Sequence, residues 1–428
     1  MLLKREMGLR QNWWLAQDIP NIPLGALTIE HSVVYTEGGS KKTVRMRFPK
    51  KRDRHGKYVQ ISNTILCVGT TGTGKSVLSK VVEYFLSLER PVIDFDWAGE
   101  DSHLSHEPNS LPENLPPYTP PGQIEGWYLH YPVKNSRPKK QFERTVRPNI
   151  TKYDIVQLEA LGFSPGAAMY FQNLIRRYGP FKDWEALYDF IENFPINEAA
   201  ARAMQKKLEM NKVRIKHTKR YEPNDVINNQ SKESIKKVLP GIIEKGVFRL
   251  DNREEINFEQ AFLAGKNMVF SFNDKDVGRV EINYYMQRIK SIRRQYRESP
   301  RYFVKIEEAH KVLAAEGKKV DEVIEEFVLV CRKASVGLLL VMPEATEKTL
   351  SDKVLDDIKE IITGKLQGES AYRIGRRCGS RDIANIISRL TLNRYTDERE
   401  FLYYSSDDQS WWTFIPFNSP VEIHREVN

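Results

Sequence analysis

Apolar positions change period several times along the chain. In "NTILCVGTTGTGKSVLSKVVEYFLSL" a continuous apolar run meets a glycine-rich stretch, and apolar residues then recur at Val77, Leu78, Val81, Val82, Tyr84, Phe85 and Leu86. That is a buried strand, a loop and one face of a helix. "PVIDFDWAGED" returns to strand texture and ends in acids. Strand, helix and strand open a parallel α/β sheet. "KNMVFSF", "RYFVKI" and "VGLLLVM" read as later strands, interleaved with helical stretches at 277–298 and 319–334.

The intervening sequence has other textures. Residues 101–148 are proline-rich and read as an irregular surface excursion, and 149–245 carry helical periods separated by Gly, Pro and Asn. The expected organisation is a β-like segment and basic run over 1–57, a core over 58–100 and 246–400, an insertion over 101–245, and a β-hairpin tail over 401–428. "SRDIANIISRL" gives one late helix. Trp411 and Trp412 are expected to pack in the core or at a sheet edge, and the tail is given no chemistry.

Composition narrows the class. At 428 residues, 40% hydrophobic and 29% charged, the chain is an ordinary soluble protein with room for two or three domains. No apolar run approaches the ~20 residues of a spanning helix. The start, "MLLKREMGLRQNWW", lacks signal-peptide shape, so a cytoplasmic protein without membrane insertion is expected. Cys67, Cys331 and Cys378 form no CxxC pair, which argues against a metal cluster or disulfide scaffold. A formal net charge of +9 favours a polyanionic partner.

The candidate chemistry lies in two short stretches. "GTTGTGKS" matches G-x-x-x-x-G-K-[ST], a loop whose backbone N–H groups converge on a phosphate. Lys75 supplies a point charge to the phosphates, and the Ser76 hydroxyl suits Mg²⁺. "RYFVKIEEAH" sets Glu307 and Glu308 side by side at a strand end, where like charges repel unless a cation or a reaction explains them. Mg²⁺ is that cation: a strand beside the loop is expected to end in the metal-side Glu307, followed by the water-polarising Glu308.

The ordered series "IPLG", "GTTGTGKS", "DFDWAGED", "GKNMVFSFND", "VKIEEAH" and "CRKASVGLLLVMPEA" resembles the HerA/FtsK superfamily of DNA-pumping ATPases over roughly residues 20–100 and 245–400. The resemblance implies a RecA-like P-loop NTPase core with a mostly parallel central sheet and an inserted helical subdomain. It implies ATP and Mg²⁺ as cofactors, with the nucleotide on Gly69, Thr70, Thr71, Gly72, Thr73, Gly74, Lys75, Ser76 and Val77. Asp96 and Glu100 fall near the nucleotide or a subunit boundary, and Ser76 and Glu307 on the metal. Catalytic roles fall to Lys75, Glu308 and Arg332, the last reaching a neighbouring subunit's ATP, with Lys333 as the alternative register.

The implied assembly is a homo-oligomeric ring, a hexamer by resemblance, moving double-stranded DNA with little sequence preference. A nuclease or another mobile-element or viral protein is a candidate partner. Basic runs at 48–57, 137–144, 206–220, 288–297 and 373–381 are candidate phosphate contacts. Two positions depart from the family. Glu307 stands where it has Asp, so the longer side chain must retract or coordinate through water. Pro343 stands where it has the γ-phosphate-sensing Gln, with Thr346 as a candidate substitute. The alternative reading is an ATP-binding switch or scaffold with weak hydrolysis.

Overall fold

The computed structural model describes residues 21–29, 32–33, 37, 39, 42–47, 50–52, 58–60, 64–97, 126–131, 144–196, 199, 228–250, 256–272, 274–296, 299–313, 325–329, 331, 336–393, 398–407 and 409–416. Among them, thirteen strands form one sheet. Eight are parallel, in the spatial order Glu360–Thr363, Thr64–Val68, Gly337–Met342, Phe303–Ile306, Val92–Asp96, Asn267–Phe272, Gly126–Tyr131 and Arg144–Thr145. Five antiparallel strands extend the opposite side. Phe401–Ser405 pairs with Glu360–Thr363, Ser410–Pro416 follows it, and Asn21–Ile29 comes next, joined by Ser32–Val33 and Thr43–Arg47.

The central strands are continuously apolar because both sheet faces are covered. Strand parity divides their side chains between two cores. Ile65, Cys67, Phe303, Leu339, Val341 and Ile362 pack with Leu78, Val82 and Phe85 of the helix Lys75–Glu89. Leu66, Val68, Phe95, Phe270, Val304 and Leu340 face the long helix Lys275–Gln295 and the inserted helices.

The insertion follows local rules. Ile155–Ala160 starts in a capping box between Asp154 and Gln157, Pro165–Tyr178 starts at Ser164 with Pro165 in its first turn, and Trp184–Asn193 starts at Asp183. Asn229–Lys245 starts at Asn228 and ends on the left-handed Gly246. Its entrance and exit are tied together: Arg249 N–H donates to Pro148 O at 2.9 Å, and Ile150 N–H to Arg249 O at 3.2 Å.

Two expectations change. The stretch 101–148, read as irregular, contains Gly126–Tyr131, a strand paired in parallel with Asn267–Phe272. "GWYLHY" was hidden because it lacks a Val/Ile/Leu run and lies in proline-rich surroundings. The predicted closing hairpin does form, but it extends the central sheet, and Trp411 and Trp412 are 39% and 48% exposed. They pair with Tyr404 and Tyr403 on one side, while on the other they lie past the last paired residue of Asn21–Ile29, whose register with Ser410–Pro416 runs only to Thr28 opposite Thr413. No helix among the described residues is long and apolar enough to cross a membrane.

Candidate nucleotide site

The strand Thr64–Val68 delivers the chain into a loop stitched to its neighbours. Gly69 N–H donates to Met342 O at 3.3 Å, and Thr70 N–H and Oγ1 both donate to Lys365 O at 3.2 Å. Thr73 N–H and Oγ1 donate to Thr70 O at 3.2 and 2.8 Å. Gly72 and Gly74 have φ of 87° and 84°, a region that costs other residues about 1–2 kcal/mol. The helix Lys75–Glu89 then starts without a side-chain cap, and its first backbone bond runs from Leu78 N–H to Gly74 O. The N–H groups of Lys75, Ser76 and Val77 thus have no carbonyl of their own helix to meet, which makes this end a ready anion site. The loop fits a nucleotide's phosphates.

On the same sheet face, Ser79 Oγ donates to Ser76 O at 2.9 Å and to Glu307 Oε1 at 3.4 Å. Ser79 therefore links the expected metal-side acid to the loop helix, one turn beyond Ser76. Lys305, two residues before Glu307 and 1% exposed, points to the same face. Its Nζ lies 2.9 Å from Glu83 Oε2, 3.3 Å from Asp94 Oδ2 and 3.2 Å from Glu307 Oε1. Lys305 and Ser79 thus both hold the same oxygen of the Glu307 carboxylate. Burial pushes the nearby Cys67 thiol up to about 12, so it stays protonated.

Lys305 pairs with Asp94 across the sheet, so two residues further on Glu307 lies opposite Asp96 on this face. Asp96 is fully buried beside Glu307. Among the described residues, no group of three or more His, Cys, Asp or Glu is arranged to hold a metal ion.

The acid-bearing strand is not beside the loop strand, as expected, but one place further on, with Gly337–Met342 between them. That middle strand joins the two elements at its end. Met342 O accepts from Gly69, and Val341 O accepts from Ala309 N–H at 2.9 Å. Pro343 follows at this junction without an N–H to offer. The Thr346 hydroxyl, the candidate substitute, lies 3.1 Å from Thr349 Oγ1, while Thr346 N–H donates to the same oxygen at 2.9 Å.

Glu308 has φ of +49°, a left-handed backbone in a residue that gains nothing from it. Such strain gathers at functional positions. Its Oε2 lies 3.6 Å from both His310 Nε2 and Lys311 Nζ. His310 is held below its ordinary value chiefly by burial, aided by Lys311 and Lys75 and opposed by Glu308 and Glu344. Its Nδ1 is buried without a hydrogen-bond partner among the described residues.

Glu100, Arg332 and Lys333 lie outside the described residues, as do most of the basic runs at 48–57, 137–144 and 206–220. The other two runs are largely engaged within the fold. Arg373 donates to Ala345 O and pairs with Asp352, and Arg377 donates to the carbonyls of Leu355, Asp356 and Ile358. Arg288 pairs with Glu259, and Lys290 with Glu326. One cation was missed: the Arg399 side chain packs on Gly74, and no local pattern connects two positions so far apart in sequence.

No protein-family model matches the chain, and no curated protein matches it. Solved structures do. The bacterial conjugative coupling protein TrwB without its first 70 residues, in its unbound monoclinic form, is 12% identical, covers 95% of each chain and has a TM-score of 0.50. The plasmid coupling protein TrwB with ADP and Mg²⁺ is 10% identical over 85% of this chain and 86% of its own, with a TM-score of 0.46. The genome-packaging NTPase B204 from Sulfolobus turreted icosahedral virus 2, with ATP-gammaS, is 20% identical over 38% of this chain and 74% of its own, with a TM-score of 0.30. What the first of these shares with this chain is the fold: the chain is an α/β protein built on a RecA-like P-loop NTPase core with a mostly parallel central sheet.

Proposed function

We propose that the protein is an ATP-driven DNA translocase or helicase of HerA/FtsK type, working as a ring with ATP hydrolysed at subunit interfaces. The observation that carries this reading is the link from Ser76 through Ser79 to Glu307, with the left-handed Glu308 next in the chain. The loop and uncapped helix start bind the phosphates, Lys75 adds a cation, and Glu308 orients and deprotonates the attacking water. Mg²⁺, when bound, neutralises phosphate charge. Arg332 completes the neighbouring subunit's site, where a planar cation meets the charge that spreads in phosphoryl transfer. The net charge of +9 suits backbone contacts to DNA without base reading.

The test is ATPase rate with double- and single-stranded DNA and without either, beside the mass of the assembly. DNA-stimulated turnover in a ring is expected. Tight ATP binding with turnover indifferent to DNA would instead favour an ATP-binding switch or scaffold, the reading that Pro343 and the engaged Thr346 hydroxyl support.

A further inference from the structure

Arg399 belongs to a segment for which the sequence suggests no role, yet it lies against the phosphate loop. A Cβ built on Gly74 would come 2.8 Å from Arg399 Nη1 and 2.9 Å from its Cδ. The guanidinium and its stem therefore cover the face of Gly74 that lacks a side chain, next to Lys75. The neighbouring backbone is fixed. Arg399 pairs with Leu392, and Glu400 N–H donates to Thr391 O at 3.0 Å. The Glu400 carboxylate, 4% exposed, accepts from Thr28 Oγ1 at 2.5 Å and from Thr391 N–H at 3.3 Å. Phe401 then enters the hairpin, close to Gly364, whose own missing Cβ makes room for Thr73. An arginine is thus presented to the loop from an anchored strand end.

We propose that Arg399 is a phosphate-contacting residue of the nucleotide site, supplied by the subunit's own C-terminal β extension. This assignment rests on the nucleotide reading above. A guanidinium is weakly hydrated, permanently charged and forked, so it can bond two oxygens of a di- or triphosphate from the rim of the loop. It would act in cis, and it ties the Asn21–Ile29 strand and the hairpin to the nucleotide through Thr28 and Glu400.

The experiment compares binding of a fluorescent ATP analogue with Mg²⁺ by the full-length wild type, Arg399→Met and Arg399→Lys. Arg399→Met keeps the stem over Gly74 and removes the charge. It is expected to bind at least tenfold more weakly with the nucleotide-free melting temperature nearly unchanged, and Arg399→Lys should recover part of the loss. Binding by Arg399→Met within twofold of wild type overturns the assignment. Should that variant not fold, hydrogen exchange of the wild type decides. Slower exchange in the 398–401 peptide on adding ATP is expected, and unchanged exchange overturns the proposal. Failure of the wild type itself to bind ATP overturns the nucleotide reading instead.

Discussion

Lys305 Nζ lies 3.2 Å from Glu307 Oε1, and this one buried ammonium also meets Glu83 and Asp94. A lysine at a position that could hold an apolar strand residue is costly to desolvate, and the three carboxylates around it offset that cost. Removing the cation leaves them facing one another in the core. Lys305→Met is expected to lower unfolding free energy by about 3–5 kcal/mol, measured by urea denaturation. A loss below about 1 kcal/mol would mean that the cluster is less coupled than its distances imply.

Glu308 separates function from stability. Glu308→Gln keeps the shape and removes the proposed base, so ATP binding should persist while turnover falls by about 10²–10⁴. Glu308→Gly removes the base and also relieves the left-handed strain. Its stability should match wild type or exceed it by up to about 1 kcal/mol, although glycine usually destabilises. Thermal denaturation of both variants beside ATPase assays checks the pair.

His310 gives a pH dependence of definite sign. Its folded-state value lies below the ordinary 6.5, so on acidification the unfolded chain takes up the proton before the folded one does. The stability contribution is therefore intact above pH 6.5 and falls as pH drops below it. Wild type should lose more melting temperature than His310→Gln between about pH 7 and about pH 5.5. Parallel losses in the two proteins would remove His310 from the account.

Arg332 tests the ring. Arg332→Ala should bind ATP and assemble normally while its turnover falls by about 10³-fold or more. Mixing it with Glu308→Gln subunits should restore some activity, since an interface that joins an intact Glu308 to an intact Arg332 can then form. Wild-type ATPase in the assembled Arg332→Ala protein would refute the trans assignment.

The strand, loop and helix around "GTTGTGKS", the helical periods of the insertion and the acids ending "YFVKIEE" were legible because each depends on residues close in sequence. Apolar period, turn chemistry and capping are local, and they hold before any partner is present. Strand order is not local. Nothing in "VGLLLVM" says that it lies between the loop strand and the acid strand, and nothing in "GWYLHY" says that it extends the parallel sheet. Tertiary structure alone decided that Lys305 would gather Glu83, Asp94 and Glu307, because those four come from three elements packed on one sheet face. It also set Arg399 against Gly74, since a hairpin far along the chain found its place beside Glu360–Thr363. The chain carries the site's chemistry in short motifs, while long-range strand pairing decides which charges surround it.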